Sequence, residues 1–130
     1  KTLSRGASPS NSSNIIAYAS NFLGTPYVWG GTSPSPGFDC SGFTSYVFKQ
    51  HGISLNRTAA GQYSNGVAVS RDQLQPGDLV MFGKSGINHV GIYIGGGQIV
   101  HAANKSRGVT TDTINSGYYN NNYVGARRVM

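Results

Sequence analysis

From Gly77 to Val129 the chain is written in short β-forming runs. "GDLVMF", "NHVGIYI", "QIVHAA", "GVTTDTI" and "YVGARRV" are each rich in β-branched and aromatic residues, and turn residues separate them. Helical spacing is confined to the first half. Ile15, Ile16, Ala19, Phe22 and Leu23 fall on one helical face from Asn14 onward, with Ser12, Ser13 or Asn14 as cap and Gly24 as stop. Cys40, Phe43, Val47 and Phe48 repeat the spacing, with Asp39 or Ser41 capping the start and Gly52 closing the segment after His51. Residues 57–66 read as a short, ambiguous helical turn. Strands that follow one another without intervening helices pair antiparallel. The order therefore predicts an α+β domain, with N-terminal helices packed on one face of an antiparallel sheet of about five to six strands.

A chain of 130 residues makes one domain. It can bury roughly two thirds of the surface its unfolded form exposes, enough to fold without covalent staples. It has a single cysteine, which excludes an internal disulfide and a thiolate zinc site. Residues 1–13 are mostly Ser, Pro, Asn and Gly and are too polar to order themselves, so they are expected to be a linker and residues 14–130 the folded domain. The opening lacks the apolar centre of a signal peptide, and no apolar run approaches the ~18 residues of a membrane span. A domain cut from the end of a longer protein is the expectation. Ten Lys and Arg stand against four acidic residues, a formal charge of +6. Such a surface attracts polyanions, whether nucleic acid, anionic lipid or acidic envelope polymers, and charge alone does not choose among them.

The lone Cys40 falls in the first turn of its helix. Free backbone N–H groups and partial positive charge there favour a thiolate and can receive the oxyanion of a tetrahedral intermediate. His51, at the far end of the same helix, is about 16 Å away at ~1.5 Å per residue and is a poor partner. His89 and His101 are better placed. With Gly95, Gly96 and Gly97 as a hairpin loop, Ile94 opposes Gln98 and Gly91 opposes His101, so His89 is a diagonal neighbour of His101 about 7 Å away on one face. One ring can then orient the other, as a base and its orienting group require. A solitary cysteine is commonly an inert buried side chain. The conjunction of a first-turn cysteine with two histidines on one hairpin face favours a cysteine hydrolase. Other chemistries fail on spacing. "GDLVMFGKS" has five residues between its glycines where a phosphate loop has four, "GGGQIV" lacks the third glycine of a dinucleotide site, and no G-x-S-x-G is present. Asp39, Asp72, Asp78 and Asp112 are scattered without metal-ligand spacing, so neither metal nor cofactor is implied.

"GTPYVWGG", "GFDCSGF", "LNRTAAGQ", "PGDLVMF", "NHVGIYIGGGQIVHA" and "GARRV" resemble, in order and spacing, the NlpC-type cell-wall cysteine peptidases, a papain-like family of bacterial peptidoglycan hydrolases. The likeness covers residues 14–130. It implies Cys40 as nucleophile, His89 as general base and His101 as the orienting third residue. Cleavage would fall between γ-D-glutamate and the following diamino acid, diaminopimelate or lysine, of stem peptides. Tyr27 matches a tyrosine that lines the site and helps hold the oxyanion, while Asp39 and Ser41 match positions contacting the stem peptide on the amino side of the cleaved bond. Arg57, in "NRT", is left between a substrate carboxylate and a structural ion pair. The nearest likeness is to secreted autolysins that carry such a domain after wall-binding repeats. It implies a secreted, cell-wall enzyme, monomeric, acting on peptidoglycan stem peptides with anionic wall polymers as further partners, and not a nucleic-acid binder. Two alternatives stay open. One is a papain-like muramoyl amidase or acyltransferase. The other is a non-catalytic binder of anionic envelope polymers through Lys105, Arg107, Arg127, Arg128 and tyrosines 118, 119 and 123.

Overall fold

The computed structural model describes residues 9–130. Residues 1–8, most of the expected linker, lie outside the described residues. Helix α1 (Pro9–Ser20) starts five residues before Asn14. Proline suits a first helical turn, because its fixed φ is already helical and its missing N–H would have no partner there. The helix ends sooner than its spacing predicts. Ser20 Oγ bonds back to Ile16 O at 2.9 Å, the chain turns through Asn21–Leu23, and Gly24 (φ +90°) hands its N–H to Val109 O. Leu23 is therefore exposed rather than part of the core. Phe22 turns inward, edge-on to Tyr18, Phe38 and Tyr46.

A small antiparallel pair, β1 (Thr32–Ser33) and β2 (Gly37–Phe38), leads into α2 (Cys40–Lys49). Gly42 on α2 faces the Gly31 carbonyl so closely that a Cβ there would overlap it. This contact clamps the loop bearing Tyr27 and Trp29 onto the start of the helix. At the other end Gly52 (φ +81°) closes the helix, and His51 Nδ1 meets Val47 O at 3.0 Å. The short α3 (Ala59–Gln62) is capped by Thr58, whose hydroxyl accepts from Gly61 N–H.

The five β runs each become a strand: β4 (Leu79–Phe82), β5 (His89–Gly95), β6 (Gln98–Ala102), β7 (Val109–Thr113) and β8 (Tyr123–Arg128). A sixth, β3 (Val67–Val69), pairs with β8 at one edge, giving an antiparallel sheet in the order β3-β8-β4-β5-β6-β7. The helices cover one face, where Ile15, Phe43, Val47 and Phe48 meet Leu79, Met81, Val90, Ile92 and Val100. The other face is buried as well. Val80, Phe82, Ile99, Ile114 and Ala126 pack there beneath tyrosines 93, 119 and 123, with α4 (Gly117–Asn121) carrying Tyr119 across them. This second layer explains why β4 is buried at all four positions instead of alternating.

Candidate active site

The start of α2 is assembled around Asp39. Its backbone is extended, and its Oδ1 accepts the Gly42 N–H at 2.6 Å while Oδ2 accepts the Gly30 N–H at 3.2 Å. Arg57 grips the same carboxylate with both guanidinium arms, at 3.2 and 2.9 Å, and donates to Ser41 Oγ at 2.9 Å. Of the two roles left open for Arg57, the structure displays the ion pair. Gln62, wholly buried, ties this corner to the rest of α2. Its amide nitrogen reaches Ser41 O, Ser45 Oγ and Asn56 O, and its oxygen accepts from Thr44 Oγ1.

Cys40 follows Asp39, its residue only 9% exposed. Burial pushes the thiol up from its ordinary value and the Asp39 charge pushes the same way, outweighing the backbone N–H groups of Val90, Ser41 and Cys40 that point at the sulfur. The expectation of a standing thiolate is therefore not met in the resting site. The cause is local: the sulfur is buried, and Asp39, which occupies the Gly42 donor, adds a negative charge where the helix end would otherwise favour one.

His89 and His101 come together as the hairpin spacing predicts. Ile92 pairs with Val100 and Tyr93 with Ile99, the register that sets both histidines on one face. His89 Nε2 lies 2.7 Å from His101 Nδ1, with the rings nearly perpendicular. The turn itself differs from expectation. Gly95, not Ile94, faces Gln98; a bulge absorbs Ile94 and the loop shortens to Gly96–Gly97, both at positive φ. Burial, and then the neighbouring His101, lower His89 to about 3, against the opposing pull of Asp112. His101 is lowered too, by burial that its hydrogen bond to Asp112 only partly offsets. Thiol and imidazoles are thus neutral at neutral pH. His51 sits at the opposite end of α2 and takes no part.

The row of polar groups does not stop at His101. His101 Nε2 lies 2.7 Å from Asp112 Oδ2, and Arg107 donates to both oxygens of that carboxylate at 2.8 and 3.0 Å. Spacing along the chain gives no sign of Asp112. The signal lies across the strands. His101 pairs with Thr110, so Asp112 is its diagonal neighbour, by the same rule that joins His89 to His101. Two clefts meet at Cys40. The larger, about 610 Å³, is lined by His89, Asn104, Arg107, Tyr118 and Tyr119, and the smaller, about 440 Å³, by Asp39, Ser41, Arg57, Thr58 and Ile87. Tyr27, Trp29, Cys40 and Asn88 border both, with Trp29 81% exposed at the junction. Burial, with the charges of Cys40 and Asp39, raises Tyr27, so its hydroxyl keeps the proton it can donate.

The profile of the NlpC/P60 family matches residues 24–128. The chain belongs to the NlpC/P60 family. Over 124 residues this NlpC/P60 chain is 50% identical to a probable endopeptidase p60 of Listeria grayi, covering 95% of itself and 24% of that protein. It is 44% identical over 121 residues to a γ-D-glutamyl-L-lysine dipeptidyl-peptidase of Bacillus cereus, covering 90% of itself and 36% of that protein. Its fold matches the NlpC/p60 domain of the peptidoglycan hydrolase SagA with a TM-score of 0.81 at 39% identity, over 91% of this chain and 98% of that one. It thus spans between 22% and 40% of the length of these and similar curated relatives.

Of the basic residues named for the polymer-binding alternative, Arg107, Arg127 and Arg128 are each engaged within the NlpC/P60 domain. Arg107 is held by Asp112 and Arg128 by Asp78, while Arg127 donates to Asn65 O and Gly66 O. Tyr118 and Tyr119 line the larger cleft, and Tyr123 lies under Arg71. Among the described residues no three His, Cys, Asp or Glu side chains are grouped to hold a metal ion, and no helix is long and apolar enough to cross a membrane.

Proposed function

We propose that this domain is a cysteine endopeptidase that cleaves the bond between γ-D-glutamate and the diamino acid of peptidoglycan stem peptides. One observation carries it: Cys40 opens a helix at the meeting point of two clefts, in the larger of which His89 is held by His101 at 2.7 Å. The names of the relatives, p60 endopeptidase and γ-D-glutamyl-L-lysine dipeptidyl-peptidase, support the bond and substrate class. The stem peptide's amino side occupies the smaller cleft against Asp39 and Ser41, and the diamino acid the larger.

His89 Nε2 is engaged by His101, so Nδ1 is the nitrogen that takes the Cys40 proton as Sγ attacks the γ-glutamyl carbonyl carbon. The oxyanion is received by the Cys40 backbone N–H and the Tyr27 hydroxyl. Collapse breaks the C–N bond, and the departing amine carries off the proton held by His89. A water then gives its proton to His89 and attacks the thioester, and Cys40 leaves as the sulfur that recovers that proton. Starting from a neutral pair, the proton moves together with the attack rather than before it.

The domain acts outside the cell, on the wall, with anionic wall polymers as a further contact. Purified peptidoglycan incubated with the protein should yield muropeptides cut after γ-D-glutamate by mass analysis, and Cys40→Ala should yield none. Release of stem peptides from muramic acid would instead assign an amidase. Wall binding without new amine ends would assign a binder.

A further inference from the structure

We propose that Asp112 is a positioning residue that dictates which ring nitrogens of His101 and His89 carry protons, and so leaves Nδ1 of His89 as the base. The inference rests on the reading of Cys40 and His89 as nucleophile and base. The argument runs inward from the surface. Arg107 donates to both Asp112 oxygens, and these bonds together with that from His101 hold the carboxyl below its usual range although burial alone would raise it. An ionised carboxylate can only accept. His101 Nε2, 2.7 Å from Oδ2, must therefore carry the proton, since the other tautomer would set a ring lone pair against a carboxylate lone pair.

A neutral His101 with its proton on Nε2 presents a lone pair at Nδ1. His89 Nε2, 2.7 Å from that nitrogen, must then donate. The neutral His89 that results has one remaining lone pair, on Nδ1. Asp112 thus reaches the nucleophile's base through two rings without touching substrate. When His89 takes the thiol proton, the same carboxylate stabilises the imidazolium, and its pull on His89 is already upward in the resting site. A purely structural Asp112–Arg107 pair, tying β7 to the turn before it, would do none of this.

The rings can be read without substrate. In protein labelled with ¹⁵N-histidine, long-range proton–nitrogen correlation at pH 7.5 should show both His89 and His101 protonated on Nε2. Asp112→Asn, whose amide can donate as well as accept, should mix or reverse the His101 tautomer. On muropeptides it should lower kcat by about 10²- to 10⁴-fold with KM within about twofold, and Asp112→Glu should recover part of the loss. A wild-type His101 protonated on Nδ1 overturns the proposal whether or not any variant folds. So does an Asp112→Asn enzyme with unchanged tautomers and kcat within about threefold of wild type. Rings protonated as described in a wild-type protein that cuts no γ-glutamyl bond would leave the relay standing and remove the proposed activity instead.

Discussion

Two groups that must exchange a proton are held here on the neutral side of the exchange. Burial raises Cys40 and lowers His89 to about 3, so the ion pair that would make a permanently reactive sulfur is the costlier state until substrate arrives. A standing thiolate would react with iodoacetamide at a rate independent of pH from neutrality upward. A neutral thiol gives a rate that climbs tenfold per pH unit through and beyond the ordinary cysteine range near ~8.5. The climbing profile is expected, and a plateau already reached at pH 6.5 would refute the neutral pair. The two histidines also differ in what their loss removes. His89→Ala deletes the proton acceptor. His101→Ala deletes only the group that fixes it, and leaves the Asp112 carboxylate with Arg107 as partner. His89→Ala should therefore cost more in kcat than His101→Ala, and equal or reversed losses would contradict the assignment of base and orienter.

The corner that presents Cys40 is held by one side chain that spacing could not reveal. Gln62 satisfies partners on both α2 and the Asn56–Thr58 segment that carries Arg57. Gln62→Leu keeps the volume but removes the donor to the Asn56 and Ser41 carbonyls and to Ser45 Oγ, and leaves the Asn56 carbonyl only the longer 3.4 Å bond from Ser45 Oγ. It should cost about 2–3 kcal/mol in urea unfolding. A loss under about 0.5 kcal/mol would mean the network is not holding the corner. What the sequence made legible and what it hid divide along a physical line. The strands from Leu79 onward and helix α2 announce themselves because burial demands apolar residues and glycine marks each turn. Elements that are very short or that bury little do not. β3 is an exposed edge strand, β1 and β2 are two residues each, and α4 is a Gly-Tyr-Tyr-Asn-Asn turn with no helical stripe. His89 and His101 were legible because three glycines fixed a hairpin. Asp112 and Gln62 were not, because their partners lie across a register or on another helix, where only the fold brings them together.

The same neutral histidines that prepare the site make the whole domain sensitive to acid. A histidine whose folded value is depressed contributes fully only above its unfolded value, near 6.5, and its contribution is lost as pH falls from there toward the folded value. For His89, with 6.5 unfolded and about 3 folded, the unfolded chain takes up the proton first, so each unit of pH below 6.5 favours unfolding. By pH 5 this amounts to about 2 kcal/mol, with the lowered His101 adding in the same direction. Asp112, depressed below 3.8 by Arg107 and His101 against the opposing effect of burial, begins to contribute only at lower pH, as the unfolded carboxyl titrates. Between pH 7.5 and 5 the loss therefore belongs to the buried rings. Against a typical total of about 5–15 kcal/mol, 2 kcal/mol should move a urea midpoint measurably. Replacing His89 with Gln, which can still donate to His101 Nδ1 but cannot titrate, should flatten the dependence of the midpoint on pH across that window. An unchanged fall in the His89→Gln protein would show that the acid sensitivity arises elsewhere, and that the imidazole beside Cys40 is not held neutral by the fold.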